Sequence, residues 1–533
     1  MSWHEIIPEI LPELILIVTA CVLFLLGVST KAAARKSAAV LAFLALFSVF
    51  ILQVMTSTSG RTLADSGGAL RISEFGQYIK LLASGVGALF VLLAWPSGAK
   101  ATGNSALEYG GDAGEFFALM LLSISGIFLV AGANDLILLF LGLELASIPT
   151  YIMVSISRPL PAAQEAGVKY FFLGAMSAAI LLFGFSYLYG STGLIDLNKL
   201  TAVFADTSPG SIEPTVLSSW QMLAVLMLIA GFSFKMAAVP LHFYAGDVYE
   251  GAATPVTALI SFVPKASGLV ALIKILFVIS GGTWLAPMVI AKLLWIIAVL
   301  TMTVGNLLGL RQENVKRLLA YSSVAHSGYL LVGVTATIYG AAYGVEQIAL
   351  RGVLFYLTAY GIMNVAAFGV LMLLPARTAR PASSAETFED IAGAGRRHPA
   401  LGLAMAVACF SLTGLPLTVG FFGKVYLIRP ALLGHSYWLA AIMMANAAIS
   451  AAYYLRIVAV LFLRPQSQTE QESQPLPISR SLPVSIAISI SVAATLLFGI
   501  VLPATDVLST AASQAAVVDT PPQRPGPSAS IGQ

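Results

Sequence analysis

The stretch GFSFKMAAVPLHFYAGDVYEGAATPVTALISFVPKASG, residues 231–268, decides how the rest of the chain is read. Lys235 stands inside an apolar run, and Pro240 follows five residues later. After a short polar crossing, a second apolar run carries Pro264 and Lys265 side by side. An ionisable group at the centre of a bilayer costs at least roughly 2.5–3.5 kcal/mol on insertion scales, and such groups face a protein interior or a wet path. The stretch therefore reads as two membrane helices, each holding a costly lysine beside a helix-breaking proline. The remaining chain reads as the scaffold that keeps those lysines and a few partners in a row.

The totals agree. Apolar residues make up 58% of the 533 and charged residues 10%, against about 25% charged in a typical soluble protein. The apolar runs are continuous instead of alternating with period two, which argues for an all-α polytopic membrane protein and against a β-barrel. A net charge of +3 makes no case for nucleic acid. The two cysteines, Cys21 and Cys409, lie inside apolar runs and read as small buried hydrophobes. They cannot build an iron–sulfur cluster or a cysteine zinc site. No dinucleotide fingerprint follows a strand-like run and no Walker A pattern is present, so neither a cofactor site nor a metal site is expected in this chain.

Spans are expected near residues 14–28, 38–54, 78–95, 116–130, 136–156, 170–189, 220–244, 255–280, 287–310, 318–338, 347–374, 400–433, 438–463 and 482–501. That is about 14 transmembrane helices. The seventh contains Pro240, and the twelfth contains Gly414, Pro416, Gly420 and Gly423, so both read as discontinuous helices. The acidic start, with Glu5, Glu9 and Glu13, is unlike a cleaved signal peptide. Lys and Arg gather in the loops after the odd-numbered spans, among them Lys31, Arg35, Lys36, Arg311, Lys316, Arg317, Arg377, Arg380, Arg396 and Arg397. The positive-inside rule then places those loops in the cytoplasm and both termini outside it. Residues 465–477 read as a polar cytoplasmic loop, and the tail from Thr505 as disordered. A weak internal repeat links Gly231–Lys235 (GFSFK) with Gly420–Lys424 (GFFGK). The copies fall in the seventh and twelfth spans, an odd offset, as in transporters built from inverted repeats.

The charged residues at membrane depth carry the chemistry. Glu144 lies mid-way along the fifth span and needs a cation, for which Lys235 is the natural partner; the plainer reading is a fixed pair that only locks two helices. Lys265 follows Pro264, which leaves the Ile260 carbonyl without its N–H partner and free for a water or the lysine head. His326, flanked by Ser322, Ser323, Ser327 and Tyr329, titrates near neutrality and suits a relay. Lys424 completes the series. Lys274 is expected to snorkel to an interface, and Asp247 and Glu250 to cap a helix, with proton uptake as the alternative. Arg351, Arg456 and Lys292 read as structural. One carboxylate, three lysines and a histidine on separate helices have the character of a proton relay.

Four motifs carry a resemblance over about residues 14–501: LGLELASIPTY (141–151), FKMAAVPLHFYAGDVYEGA (234–252), RLLAYSSVAHSGYLLVG (317–333) and SLTGLPLTVGFFGKVYLI (411–428). With them the chain resembles the antiporter-like membrane subunits of bacterial NADH–quinone oxidoreductase, respiratory complex I, a family shared with the Mrp sodium–proton antiporters. The lysine closing GFFGK is like the N-type subunits, whereas the M type has a glutamate there. The resemblance implies two inverted five-helix repeats. The expected division is residues 1–112 for the first three helices, 113–284 and 285–464 for the repeats, 465–504 for a loop and the last helix, and 505–533 for the tail. It also implies a Glu144–Lys235 pair, a central Lys265, a terminal Lys424 and His326 on the path between them. NADH, flavin, iron–sulfur clusters and quinone would belong to partner subunits in the bacterial inner membrane, and this chain would couple their electron transfer to proton pumping. The neighbours would include other antiporter-like subunits and those on the quinone side. The competing readings are a sodium–proton antiporter subunit without redox coupling and a purely structural subunit.

Overall fold

A computed structural model of the chain describes residues 3–29, 32–57, 68–71, 73–95, 113–158, 160–206, 216–374, 385–464 and 481–516. Among these the regular structure is helical, with three isolated bridges between loops and no strand. Three helices come first: α1 (Trp3–Gly27), α2 (Ala32–Ser57) and α3 (Glu74–Leu93). Then follow α4 (Ala113–Gly132), α5 (Leu136–Ile156), α6 (Pro161–Thr192), α7 (Leu197–Asp206), α8 (Ser219–Lys235), α9 (Ala245–Gly251) and α10 (Thr254–Ile279). The second half holds α11 (Met288–Leu310), α12 (Val315–Ala341), α13 (Glu346–Leu373), the short α14 (Phe388–Ile391) and α15 (Ala394–Arg397), α16 (Pro399–Thr413), α17 (Val419–Leu433) and α18 (Tyr437–Leu463). It closes with α19 (Leu482–Ile500) and α20 (Leu502–Ala515).

Twelve of these helices are long and apolar enough to cross a membrane, and α8 and α16 are shorter apolar helices. The burial pattern says which way each faces. The apolar windows of α10 and α12 are wholly buried and that of α13 nearly so, while α1, α2, α6, α18 and α19 show large apolar side chains such as Leu25, Phe172 and Leu463 to the outside. A helix apolar on every side is stable only when enclosed by other helices or by lipid. The centre of the molecule is thus a sealed stack of α10, α12 and α13 inside a lipid-facing ring.

Both expected discontinuities are present, and in each the freed backbone groups find partners, as a buried helix end requires. After Lys235 the chain turns through Ala237 (φ 55°) and a cis Val239–Pro240 bond before α9 begins. There Ser327 Oγ donates to the Met236 carbonyl at 2.6 Å, Val239 N–H donates to Thr301 Oγ1 at 3.0 Å, and Tyr244 O–H donates to the Phe234 carbonyl at 3.0 Å. The second break follows Gly414, left-handed at φ 88°. α17 then returns so close to α16 that a Cβ on Gly420 would lie 1.9 Å from the Ser411 carbonyl oxygen. Only glycine permits that approach.

Four expectations need correction. Pro264 does not break its helix, since α10 runs on through it. The GFSFK and GFFGK copies both sit in broken spans, but Lys235 ends the half-helix before its break and Lys424 lies in α17, after its break. Their likeness is one of composition, not of position. The tail is not disordered from Thr505: α20 packs on α3 and α13, with Ala512 and Ala515 buried and Ser509 Oγ accepting from the Arg351 guanidinium at 2.7 Å. Small residues at close spacing gave that stretch a polar, loop-like composition that hides one apolar face. Cys409 is buried, whereas Cys21 is exposed on α1. Residues 465–477, Lys31, Arg377 and Arg380 lie outside the described residues.

The two halves meet at a carboxylate in the loop before α14. Glu386 accepts from Arg158, just past α5, at 2.6 Å and from Lys316, at the start of α12, at 3.1 Å. Lys316 Nζ also donates to the Ala252 carbonyl at 2.7 Å, where α9 ends. Burial alone would raise the Glu386 pKa, but Lys316 and Arg158 outweigh it and hold the carboxyl below its usual range. The lowered pKa gives stability that is complete above the unfolded carboxylate range and is lost as pH falls through the folded value. Glu386→Gln, which leaves two cations facing each other, should cost about 3–5 kcal/mol at neutral pH. In thermal unfolding of the purified protein, the gap between native chain and variant should close as pH falls below about 4; a gap of constant size would contradict the clamp.

Candidate functional site

The site begins where α8 stops. Lys235 is its last residue, and the break frees the side chain to reach across to α5. Its Nζ lies 2.8 Å from Glu144 Oε1, 2.9 Å from Ser147 Oγ and 3.4 Å from Tyr151 Oη. Ser147 and Tyr151 stand three and seven residues beyond Glu144, so one face of α5 supplies all three groups. The Lys235 side chain is 1% exposed and that of Glu144 15%. The Lys235 ammonium thus meets three oxygens, which is what a charge held in so dry a place requires. On its other side Lys235 presses on α10, where a Cβ added to Gly268 would stand 2.9 Å from the Lys235 Cβ.

Lys265 lies one turn before Gly268, on α10, and is buried. Its ammonium does not take the Ile260 carbonyl that the sequence suggested. It crosses to α12, donating to both the carbonyl and the hydroxyl oxygens of Ser323. Ser323 is a hub. Its hydroxyl accepts from Tyr360 at 2.7 Å and lies 3.1 Å from Tyr249 Oη, and its carbonyl also accepts from Ser327 at 3.2 Å. Because the same Ser327 hydroxyl holds the Met236 carbonyl, the break beside Lys235 and the head of Lys265 share one hydrogen-bonded bridge.

One turn along α12, His326 is buried between two tyrosines: Nδ1 is 2.6 Å from Tyr356 Oη and Nε2 is 3.0 Å from Tyr454 Oη. Tyr454 in turn bonds Ser322. The imidazole also lies 5.0 Å from the Tyr360 ring, centroid to centroid, and 5.5 Å edge-on from the Tyr329 ring. Lys424 Nζ sits 4.9 Å over that Tyr329 ring and donates to the carbonyls of Thr413 at 2.6 Å and Leu412 at 3.1 Å. These carbonyls end α16, where a helix has no donors of its own and favours a cation.

The five residues singled out by sequence are therefore arranged in order. Glu144 and Lys235 touch; Lys265 joins them through Gly268 and the Ser327 bridge; His326 sits between the Ser323 hub and the Tyr329 ring under Lys424. Among the described residues no hydrogen bond joins His326 directly to either lysine; hydroxyls and rings stand between. Asp247 and Glu250 do not cap α9. They pair with Arg317 at 3.0 and 2.9 Å, and Asp247 also with Lys169 at 3.1 Å, while Tyr249 between them turns inward to Ser323. Lys274 does not snorkel: it is buried and donates to the Ala133 carbonyl at 2.8 Å.

Sequence reasoning named Tyr329 beside His326 but missed Tyr249, Tyr356, Tyr360 and Tyr454, and a second buried pair. Tyr356 and Tyr360, four residues apart on α13, share one helical face, and that spacing was the available signal. Glu13 and Lys80 pair at 2.5 Å with both side chains enclosed. In the sequence Glu13 immediately precedes the first expected span and Lys80 lies at the start of the third, and a charged residue at the edge of an apolar run ordinarily reads as interfacial.

Residues 133–450 match the family described as NADH:quinone oxidoreductase/Mrp antiporter, TM. The chain is 37% identical over 460 residues to NADH-quinone oxidoreductase subunit N of Trichlorobacter lovleyi, covering 86% of this chain and 87% of that one. It superposes with a TM-score of 0.70 on a chain of respiratory complex I from Thermus thermophilus, at 29% identity, covering 92% and 98% of the two chains. It also superposes with a TM-score of 0.75 on a chain of the Mrp complex from Dietzia sp. DQ12-45-1b, at 19% identity and 95% and 97% coverage, a likeness of fold.

A double-mutant cycle tests whether Glu144 and Lys235 depend on one another in the folded chain. Lys235→Met or Glu144→Gln alone strands a partner and should destabilise the protein by about 3–5 kcal/mol, whereas the double variant should recover most of that loss. Thermal unfolding that shows the two losses simply adding would contradict the pair.

Proposed function

The chain belongs to the NADH:quinone oxidoreductase/Mrp antiporter family of membrane subunits, and on that premise we propose that Glu144, Lys235, Lys265, His326 and Lys424 form its proton relay. The protein is a proton-translocating membrane subunit of an NADH–quinone oxidoreductase, of the subunit N type, and works with the other subunits of that complex. Electron transfer from NADH to quinone takes place in partner subunits, which hold the flavin, the iron–sulfur clusters and the quinone; this chain is the translocase part. It sits in the bacterial inner membrane with fourteen crossings, both termini on the outer side, and inverted repeats over residues 113–284 and 285–464. The continuity of the buried titratable groups carries the reading: a carboxylate, three lysines and a histidine, linked by Ser323, Ser327, Tyr329, Tyr356, Tyr360 and Tyr454.

The relay works through one ion pair. While Lys235 is held by Glu144, 2.8 Å away, its charge is compensated and Lys265 can keep a proton. When a neighbouring subunit draws Glu144 away, the Lys235 ammonium is left bare beside α10. An uncompensated cation then stands beside α10, one turn from Lys265 in a weakly screened interior, and Lys265 gives up its proton. The proton passes by way of the Ser323 and Tyr360 hydroxyls and intervening water to the His326 imidazole, each hydroxyl taking one proton and giving another. It goes on to a neutral Lys424, whose ammonium form the carbonyls of Leu412 and Thr413 hold. Re-forming the Glu144–Lys235 pair restores the Lys265 affinity, and a new proton arrives from the face where Asp247 and Glu250 lie, past Tyr249. Moving one charge against a membrane potential costs about 2.3 kcal/mol per 100 mV. Breaking a buried pair is worth about 3–5 kcal/mol, so the pair is adequate to drive the step.

Lys265→Arg separates relay from support. Arginine keeps the charge and can still reach Ser323, but it does not release its proton. In inverted membrane vesicles the variant should assemble, while NADH-driven proton uptake falls by about tenfold or more. Uptake at the native ratio to electron flow would end the assignment of Lys265.

A further inference from the structure

A pocket of about 450 Å³ opens between the start of α11, the end of α12 and the turn from α17 into α18. It lies at the end of the molecule opposite the basic loops, since α11 runs away from it to Arg311 and α12 runs towards it from Lys316 and Arg317. Trp295, Tyr437 and Trp438 rim it, the amphipathic rings that collect at the level of lipid headgroups. Tyr437 and Trp438 are more than half exposed. His435 is fixed at the mouth, with Nδ1 2.7 Å from Tyr437 Oη and its ring 4.6 Å from the Tyr343 ring.

The charge in this pocket is one-sided. Lys292 lines it and, among the described residues, no carboxylate does. Lys292 is exposed and takes part in none of the ion pairs among the described residues. It also heads a stripe. Met288, Lys292, Ile296 and Leu300 recur at intervals of four along α11, and the three apolar members are 50%, 48% and 43% exposed. One exposed helical face thus presents a cation at headgroup depth and then only apolar side chains toward the membrane centre. This is complementary to a ligand with an anionic head and long apolar tails.

We propose that this pocket binds an anionic phospholipid of the leaflet on that side. The phosphate meets Lys292, with Ser436 O–H and the aromatic rim around the glycerol, and an acyl chain lies along Ile296 and Leu300. The site is separate from the relay and stands whether or not the relay assignment does.

The test uses the complete, delipidated oxidoreductase complex in nanodiscs that carry photoactivatable phosphatidylglycerol or photoactivatable phosphatidylcholine. Labelled peptides are mapped by mass spectrometry. Phosphatidylglycerol should label residues 288–300 or 435–438 several-fold more than phosphatidylcholine. Lys292→Gln should cut that labelling about fivefold, the factor for one lysine near a charged lipid surface, and Lys292→Arg should retain it. Equal labelling by the two lipids, or labelling unchanged in Lys292→Gln, would overturn the proposal by making this an unselective lipid-facing surface. Absence of lipid label, with a neighbouring subunit cross-linking there instead, would overturn it in favour of a protein interface.

Discussion

A lysine placed at the end of a helix that stops in the middle of a membrane must have an anion beside it, and the architecture follows from meeting that need. Lys235 has Glu144 at 2.8 Å, Ser147 at 2.9 Å and Tyr151 at 3.4 Å. All three partners lie on one face of α5, so α5 and the α8 break must stay in register. The break itself frees backbone groups that lipid could not satisfy. Ser327, Thr301 and Tyr244 satisfy them, and Ser327 thereby ties the break to α12. α10 must then approach closely enough for Gly268 to touch the Lys235 side chain. Core position, glycine placement and relay geometry are consequences of one buried charge pair.

The second break meets the same need differently. Among the described residues Lys424 has no carboxylate partner, and the terminal carbonyls of α16 and the face of Tyr329 take that place. Among the described residues Lys265 rests on the carbonyl and hydroxyl of Ser323. The three lysines thus grade from a full anionic partner to dipoles and a ring. A row in which only the first cation is matched by a formal charge is one in which moving that charge alters all the others, because interactions in a low-dielectric interior are weakly screened.

Much of this was legible in the residues. Continuous apolar runs gave the helices, and Pro240 and the glycines around Pro416 gave the two breaks. A carboxylate and lysines inside such runs pointed to Glu144, Lys235, Lys265, His326 and Lys424. What could not be read was what lies between them. Tyrosines are ordinary residues of membrane helices, and only the tertiary arrangement turns Tyr249, Tyr356, Tyr360 and Tyr454 toward Ser323 and His326. Pro264 was read as a break because proline removes one hydrogen bond, but a helix enclosed on all sides by others tolerates that loss, as α10 does. Lys274 was read as snorkelling because it stands near a helix end, yet that end is enclosed by α4. The GFSFK and GFFGK likeness misled because glycine and phenylalanine are common in membrane helices, and five such residues do not fix a position relative to a break.

The central claim is that the charge on Lys235 governs proton movement through this chain. It is tested most directly in vesicles from cells carrying Lys235→Ala, with NADH-driven proton uptake followed beside NADH–quinone electron transfer. The account expects the complex to assemble and both activities to fall together, because a relay that cannot be reset holds back the electron transfer coupled to it. Proton uptake and electron transfer both at native levels would contradict the account and leave Lys235 as a structural partner of Glu144.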